Sequence, residues 1–271
     1  MAPTHYERRG AVIFRQFLHE QRSCASYLIG CASKGVGAVV DPQGDPSQYV
    51  AVAERHGLHI TDVMDTHVHA DHPSGARQLA ERTGATLRMG AGAPVEFDFQ
   101  PLAEGAVIEV GNRHIRVIHT PGHTPEHVTL LVDDWFVLTG DTLFVGDVGR
   151  VDLALEEVDT DELRSRAREL HASLQKLLEL PPETEVYPGH YAGSTCGRGM
   201  DGKTISTIGR ERRTNRALAL ELEDFVDFQL SSPPPLPADF ERIKRANLSS
   251  DRDGSSDLSD PEVGGGAGEV D

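Results

Sequence analysis

The sequence predicts an α/β fold in which two stacked β-sheets carry helices on both outer faces. Short apolar segments rich in β-forming residues fill residues 11–42 and 106–145, and turn residues separate them. Amphipathic segments with helical spacing stand between and after these blocks. Apolar residues make up 38% of the 271-residue chain, which is enough for a substantial core.

The first half of the chain contains predicted strands at residues 11–18, 23–30, 35–42 and 58–66. Two predicted helices cover residues 46–57 and 75–84. Each helix closes on a glycine, Gly57 or Gly84, because glycine adopts the left-handed conformation of a helix C-terminus at little cost. The apolar composition of the strand at residues 58–66 predicts that it is buried, and the strand leads directly to His67.

The second half is rich in strands, which we predict at residues 106–110, 114–120, 127–133, 135–141, 142–146 and 183–190. Predicted helices follow the pattern of apolar residues at 160–180, 211–230 and 238–248. We therefore expect a single domain over residues 1–248, with a C-terminal helical extension at about 207–248. Residues 249–271 hold seven acidic residues and one arginine with little to bury, which predicts a disordered acidic tail.

Charge and composition exclude several classes of protein. The net charge of −17 would repel nucleic acid and an anionic membrane. No apolar run reaches the roughly 18–20 residues that span a bilayer, and the N-terminus lacks the apolar core of a secretory signal. The three cysteines form no metal-knuckle pattern and make a disulfide scaffold improbable, so we expect a cytoplasmic protein.

The strongest functional signal follows the strand at residues 58–66. His67, His69, Asp71 and His72 place four potential metal ligands within six residues. Pro73 disfavours helical geometry before it, so the segment is a loop that can turn these side chains toward one point. A single histidine is usually a surface or core residue, but this density of ligands indicates a metal site.

Three later segments repeat the arrangement of a strand, a short turn and a potential ligand. His123 follows one strand in Pro121-Gly122-His123, Asp141 follows a second in Gly140-Asp141, and His190 follows a third in Pro188-Gly189-His190. An α/β scaffold builds a site in this way along one edge of a sheet.

The motifs HVHADH, PGH, GD and a second PGH, in this order and at these intervals, resemble the metallo-β-lactamase superfamily over about residues 11–230. The resemblance implies an αββα sandwich with the metal at one edge. Because this fold serves many reactions, the activity must be inferred from the site itself.

Within the superfamily, the chain resembles the persulfide dioxygenases. That resemblance implies one Fe(II) per chain, held by His67, His123 and Asp141. Two imidazoles and one carboxylate suit non-haem Fe(II) and leave positions open for a persulfide sulfur and O₂. The expected reaction oxidises a low-molecular-weight thiol persulfide, with glutathione persulfide as the family default, to sulfite and the free thiol.

A glyoxalase II-like thioester hydrolase with two Zn(II) ions is the alternative, because no ligand of its binuclear site is missing. The residues that would serve the second metal, or else surround the iron ligands, are His69, Asp71, His72 and His190. The segment Gly149-Arg150-Val151-Asp152 resembles the persulfide dioxygenases and favours the first interpretation. A non-catalytic metal-binding module is disfavoured, since such proteins usually lose ligands.

Three further residues are candidates for substrate contact or catalysis. Arg150 could orient an anionic substrate, although a structural salt bridge with Asp152 would account for an arginine at this position equally well. Tyr187 is a plausible substrate contact. Cys196 lies in a loop that resembles bacterial persulfide dioxygenases and could contact sulfane sulfur, or be an inert small residue. His127 is expected only to support its loop.

The resemblance also bears on partners. No rhodanese domain follows in this sequence, so a sulfur-transferring partner would be a separate chain. The family suggests a homodimer.

Overall fold

The computed structural model describes residues 12–153, 159–231, 233, 235–236, 239–250 and 268–270. Within these residues, the first sheet has seven strands in the order β13-β1-β2-β3-β4-β5-β6. Its strands are β1 Val12–His19, β2 Cys24–Cys31, β3 Val36–Val40, β4 His59–Met64, β5 Thr86–Gly90, β6 Gln100–Leu102 and β13 Gly268–Val270. Strands β3 to β6 are parallel, and the β13-β1-β2-β3 part is antiparallel.

The second sheet has six strands in the order β12-β11-β10-β9-β8-β7. They are β7 Val107–Val110, β8 Arg113–His119, β9 Val128–Val132, β10 Phe136–Gly140, β11 Glu185–Pro188 and β12 Ser206–Thr207. Only the β10–β11 pair is parallel among the described pairings of this sheet.

The helices are α1 Ser47–Arg55, α2 Ala76–Thr83, α3 Thr160–Leu178, α4 Ile208–Thr214, α5 Leu222–Leu230 and α6 Phe240–Leu248. The longest, α3, begins where the Asp159 side chain accepts a hydrogen bond from the Glu162 N–H, which caps its first turn. In the part of the chain that the structure describes, no helix is both long and apolar enough to cross a membrane.

Strand β2 shows how the layers form. All of its residues are buried, and successive side chains point to opposite faces. Tyr27 and Ile29 pack in the core between the two sheets, whereas Leu28 packs with Tyr49 of α1 on the outer face. On the far side, helix α3 covers the second sheet through Leu170 and its neighbours. These clusters confirm the predicted αββα sandwich.

The carboxyl ends of two pairs of parallel strands lie at one edge of the two sheets. Parallel strands β3 and β4 end at Val40 and Met64, and parallel strands β10 and β11 end at Gly140 and Pro188. The residues that follow these strand ends include the predicted ligands, so the parallel pairs bring them to one edge.

Two predicted elements differ in the structure. Residues 142–146 form a turn rather than a strand, with one isolated bridge between Leu143 and Val148, because Phe144 N–H folds back to Asp147 O. The single helix predicted at 211–230 is broken after Thr214, where Asn215 is extended and its amide donates to Asp147 O and Glu211.

The predicted tail is only partly described. Residues 251–267 and 271 lie outside the described residues. Gly268–Val270 form β13 beside β1, a pairing that the prediction of a disordered tail did not include.

Candidate metal centre

Two histidines and one aspartate converge at the common edge of the sheets. One ligand atom from each of His67, His123 and Asp141 lies within 4.8 Å of the others, and all three residues are buried. Asp141 Oδ2 is 3.9 Å from His67 Nε2 and 3.5 Å from His123 Nε2. The predicted iron ligands therefore meet at one point.

Two buried polar atoms of this group lack a hydrogen-bond partner among the described residues. They are His67 Nε2 and Asp141 Oδ2. Leaving a buried polar atom unpaired costs about 1–3 kcal/mol, and more when the atom is charged. A cation between these atoms would remove that cost, so the donor set fits a metal ion.

Hydrogen bonds on the far side of each ring set the tautomer. The Thr66 hydroxyl donates its hydrogen to the Asp41 carboxylate, so Thr66 Oγ1, 2.9 Å from His67 Nδ1, accepts from that nitrogen. His123 Nδ1 donates to the Arg150 carbonyl over 2.8 Å. In both rings the Nε2 lone pair is thus left for the metal. Burial lowers the pKa of both histidines, which keeps them in the neutral, ligating form.

His190 lies between two carboxylates. Its Nδ1 donates to Asp141 Oδ1 and its Nε2 donates to Asp71 Oδ2, each over 2.7 Å. Although burial alone lowers it, the Asp141 and Asp71 charges raise the pKa of His190 well above its ordinary value. His190 is therefore an imidazolium that holds Asp141 Oδ1 and turns Oδ2 toward His67 and His123.

His69 lies near two other carboxylates. Its Nε2 is 3.2 Å from Asp41 Oδ1 and 3.8 Å from Asp65 Oδ1. Although burial alone lowers it, hydrogen bonding to Asp41 raises the pKa of His69 well above its ordinary value. The sequence analysis did not single out Asp41. The strand-end rule that found Asp141 could have found it, because Asp41 also follows a buried strand.

A second group of potential ligands lies next to the first. Asp71, His72 and His190 are joined there by Cys24, with ligand atoms within 4.8 Å of one another. His72 Nδ1 is 3.0 Å from Asp71 Oδ2, and its Nε2 has no partner within the described part of the chain. Sequence reasoning missed Cys24, the first residue of β2, since it belongs to no motif.

Two glycines permit the close approach of these loops. A Cβ atom on Gly189 would lie 2.7 Å from Asp141 Oδ1. Gly140 has φ of +47°, and a Cβ there would lie 2.6 Å from His127 Nε2. That nitrogen accepts a hydrogen bond from the Asp141 N–H over 3.0 Å, and burial lowers the pKa of His127 to about 3. His127 therefore supports the Asp141 loop as a neutral acceptor, whereas the sequence predicted support of its own loop.

Arg150 is buried and forms hydrogen bonds within the protein. Its Nε and Nη2 donate to the two oxygens of Asp152 over 2.6 and 2.8 Å. Its Nη1 donates to the carbonyls of Thr195 and Pro235 over 3.0 and 2.8 Å. Since the Arg150 carbonyl also accepts from His123, the residue links the metal site to two distant segments. The structure thus contains the salt bridge that was the alternative explanation, and substrate binding by Arg150 stays a prediction.

Tyr187 packs among aromatic residues of the core. Its ring is 4.7 Å from that of Phe14 and 5.5 Å from that of Phe136, measured between centroids. Its hydroxyl donates to Glu185 over 3.0 Å. Tyr187 is thus a half-buried residue that packs against the core, and a role for it in substrate binding stays a prediction.

Cys196 faces the metal centre. Its Sγ is 4.0 Å from His190 Nε2 and belongs to a group with Asp141 and His190. Burial raises the pKa of the Cys196 thiol to about 12. The side chain is therefore a neutral thiol at neutral pH, and the predicted contact with sulfane sulfur would involve the protonated form.

Comparison with known proteins agrees with this geometry. The profile of the metallo-beta-lactamase superfamily matches residues 19–190. The chain therefore belongs to this superfamily. Mitochondrial persulfide dioxygenase ETHE1 of Bos taurus is 29% identical over 240 residues, covering 85% of this chain and 87% of the relative.

Two further similar proteins have names that correspond to the two candidate activities. The crystal structure of ETHE1 from Myxococcus xanthus has a TM-score of 0.76 and 31% identity, covering 87% of this chain and 98% of that one. Hydroxyacylglutathione hydrolase of Cereibacter sphaeroides is 34% identical over 179 residues, but covers only 63% of this chain and 64% of the relative.

Proposed function

We propose that this protein is a mononuclear-iron persulfide dioxygenase that uses O₂ to oxidise the terminal sulfur of a thiol persulfide. The observation that carries the proposal is the difference between the two carboxylate oxygens of Asp141. Its Oδ2 is unpaired, among the described residues, beside His67 and His123, and its Oδ1 is held by His190. The likeness to two ETHE1 proteins along most of the chain supports the same activity.

His67, His123 and Asp141 would hold the iron. When bound, Fe(II) would supply the open coordination positions and the electron transfer that the reaction of a persulfide with O₂ requires. The overall reaction balances as RSSH + O₂ + H₂O → RSH + SO₃²⁻ + 2H⁺. The protein would bind a low-molecular-weight persulfide such as glutathione persulfide.

The residues around the iron ligands have separate tasks in this proposal. His127 and His190 fix the backbone and the Oδ1 atom of Asp141, so the carboxylate needs no reorganisation when substrate enters. Cys196, as a thiol, lies 4.0 Å from His190 Nε2, and its sulfur is within 4.8 Å of a carboxylate oxygen of Asp141. The buried surroundings exclude bulk water and so limit side reactions of oxidised sulfur.

Oxygen uptake tests the proposal. Iron-loaded protein is mixed with glutathione persulfide in an oxygen-electrode cell, and sulfite is measured at the end. We expect O₂ consumption that depends on persulfide, with one sulfite formed per O₂ consumed. Uptake no faster than with glutathione alone would contradict the proposal.

A thioester hydrolase is the second candidate. The second group, Asp71, His72, His190 and Cys24, could hold another metal ion, and His72 Nε2, which has no partner among the described residues, favours that possibility. The similarity to hydroxyacylglutathione hydrolase points the same way. Hydrolysis of S-lactoylglutathione by zinc-loaded protein without O₂, and no persulfide oxidation by iron-loaded protein, would favour this candidate.

A further inference from the structure

The side chain of Asn247, near the end of α6, spans the metal-binding loop. Its Nδ2 donates to the backbone carbonyls of His69 and His72, each over 2.9 Å. Its Oδ1 accepts from the Ser74 N–H over 2.9 Å. One amide group therefore fixes three backbone positions of a loop that is more than 170 residues away in sequence.

Other contacts dock the end of α6 onto the same region. The Leu248 carbonyl accepts from the Glu96 N–H over 2.8 Å, and Arg77 Nη1 donates to the Ser249 carbonyl over 2.8 Å. Leu248 packs in an apolar cluster that includes Val68 of the loop. These contacts fix the backbone at the end of α6, so the Asn247 side chain is already positioned for its three hydrogen bonds.

The loop that Asn247 holds is connected to the iron ligand Asp141. Asp71 lies between the two carbonyls that accept from Asn247, and its Oδ2 accepts from His190 Nε2 over 2.7 Å. His190 in turn donates to Asp141 Oδ1 over 2.7 Å. A displacement of the loop would therefore be transmitted through two short, charge-assisted hydrogen bonds to the metal ligand.

We infer that Asn247 is a positioning residue for the metal centre, which holds the loop of residues 69–74 and thereby orients His190 and Asp141. The inference rests on the metal centre of the proposed function. It assigns part of the metal site to the C-terminal helix α6, which carries none of the predicted metal ligands.

Two variants separate hydrogen bonding from packing. Asn247→Ala removes both donors and the acceptor. Asn247→Asp keeps the shape and the acceptor for Ser74 but sets a carboxylate oxygen against two carbonyl oxygens. Arg245→Ala, on the same helix with a side chain 65% exposed, is the matched control. Anaerobic Fe(II) titration gives the affinity, and hydrogen exchange of the Ser74 amide reports on the loop.

We expect both Asn247 variants to weaken Fe(II) affinity about 10- to 100-fold, the usual effect of a residue that orients ligands. The Fe(II) affinity of Asn247→Asp should be no higher than that of Asn247→Ala. The Ser74 amide should exchange faster in Asn247→Ala than in the parent protein. Arg245→Ala should have the Fe(II) affinity of the parent protein. Parent-like Fe(II) affinity in Asn247→Asp would overturn the inference, since packing alone would then suffice. The titration involves no turnover, so a parent protein that binds iron but does not oxidise persulfide would refute the function and leave this inference standing.

Discussion

At the scale of single residues, the two oxygens of Asp141 have different surroundings. Oδ1 accepts from a buried imidazolium, and Oδ2 lies near two neutral imidazoles without a partner in the described part of the chain. Although burial alone raises it, the charge of His190 lowers the pKa of Asp141 to about 2. The carboxylate is therefore ionised at neutral pH and available to a cation before any metal arrives.

This arrangement predicts unequal effects of removing Asp141 and His190. Asp141→Ala should abolish iron binding, because a ligand atom is lost from a three-residue set. His190→Ala should retain iron with an affinity weakened about 10- to 100-fold, because only the support of Asp141 is lost. Iron per chain after dialysis, with Arg245→Ala as the control, checks this. If His190→Ala loses iron as completely as Asp141→Ala does, His190 is itself a ligand and the mononuclear assignment is wrong.

The Arg150–Asp152 pair makes a prediction about stability and pH. Although burial alone raises it, the hydrogen bonds and charge of Arg150 lower the pKa of Asp152. The stabilisation from this pair is present above the ordinary aspartate pKa of about 3.9 and is lost as pH falls through the lowered value. Asp152→Asn should cost about 3 kcal/mol at neutral pH, because the buried Arg150 guanidinium loses its carboxylate partner and keeps only the carbonyls of Thr195 and Pro235.

Urea unfolding of Asp152→Asn and the parent protein at several pH values gives the measurement. The difference between them should shrink as the pH drops below about 4. The control is Asp134→Asn, which removes an exposed partner of Arg116 and should cost less than about 1 kcal/mol. A cost for Asp152→Asn no larger than that of the control would show that the buried pair does not stabilise the fold.

At the scale of elements, the position of each proposed metal ligand depends on how a strand end packs against its neighbour. His123 follows β8 after Gly122, which packs directly on helix α3. A Cβ on Gly122 would lie 2.5 Å from the backbone nitrogen of Leu170, and φ there is +137°. The PGH turn is therefore shaped by a helix in the outer layer as well as by its own strand.

Gly122→Ala should accordingly disturb both stability and metal binding. The clash requires α3 or the turn to move, with a cost of about 1–3 kcal/mol, and His123 should move with the turn. The matched control is Gly105→Ala, where φ is +73° but a Cβ would meet no atom within 4 Å. The control should lower stability through backbone strain alone and leave Fe(II) affinity unchanged. Equal Fe(II) affinities in the two variants would contradict this account of the turn.

At the scale of the whole molecule, local patterns predicted the layers and the potential ligands at the strand ends, whereas the choice of His67, His123 and Asp141 among them was implied by the resemblance to persulfide dioxygenases. Strand periodicity determines which residues face a core, and parallel strands bring their following residues to one edge. The predicted strand at 142–146 failed because apolar residues in a tight turn can be buried by the surrounding fold without pairing. Residues such as Cys24 and Asn247 could not be found, because their nearness to the site arises only from the packing of distant segments.

The number of iron ions per chain tests the central claim most directly. Metal-free protein is titrated anaerobically with Fe(II), and bound iron is counted against protein concentration. We predict saturation at one iron per chain, lost in His123→Ala and kept in a variant lacking the Asp71 carboxylate, Asp71→Asn, with weaker affinity. Saturation at two ions per chain, with the second lost in Asp71→Asn, would contradict the claim.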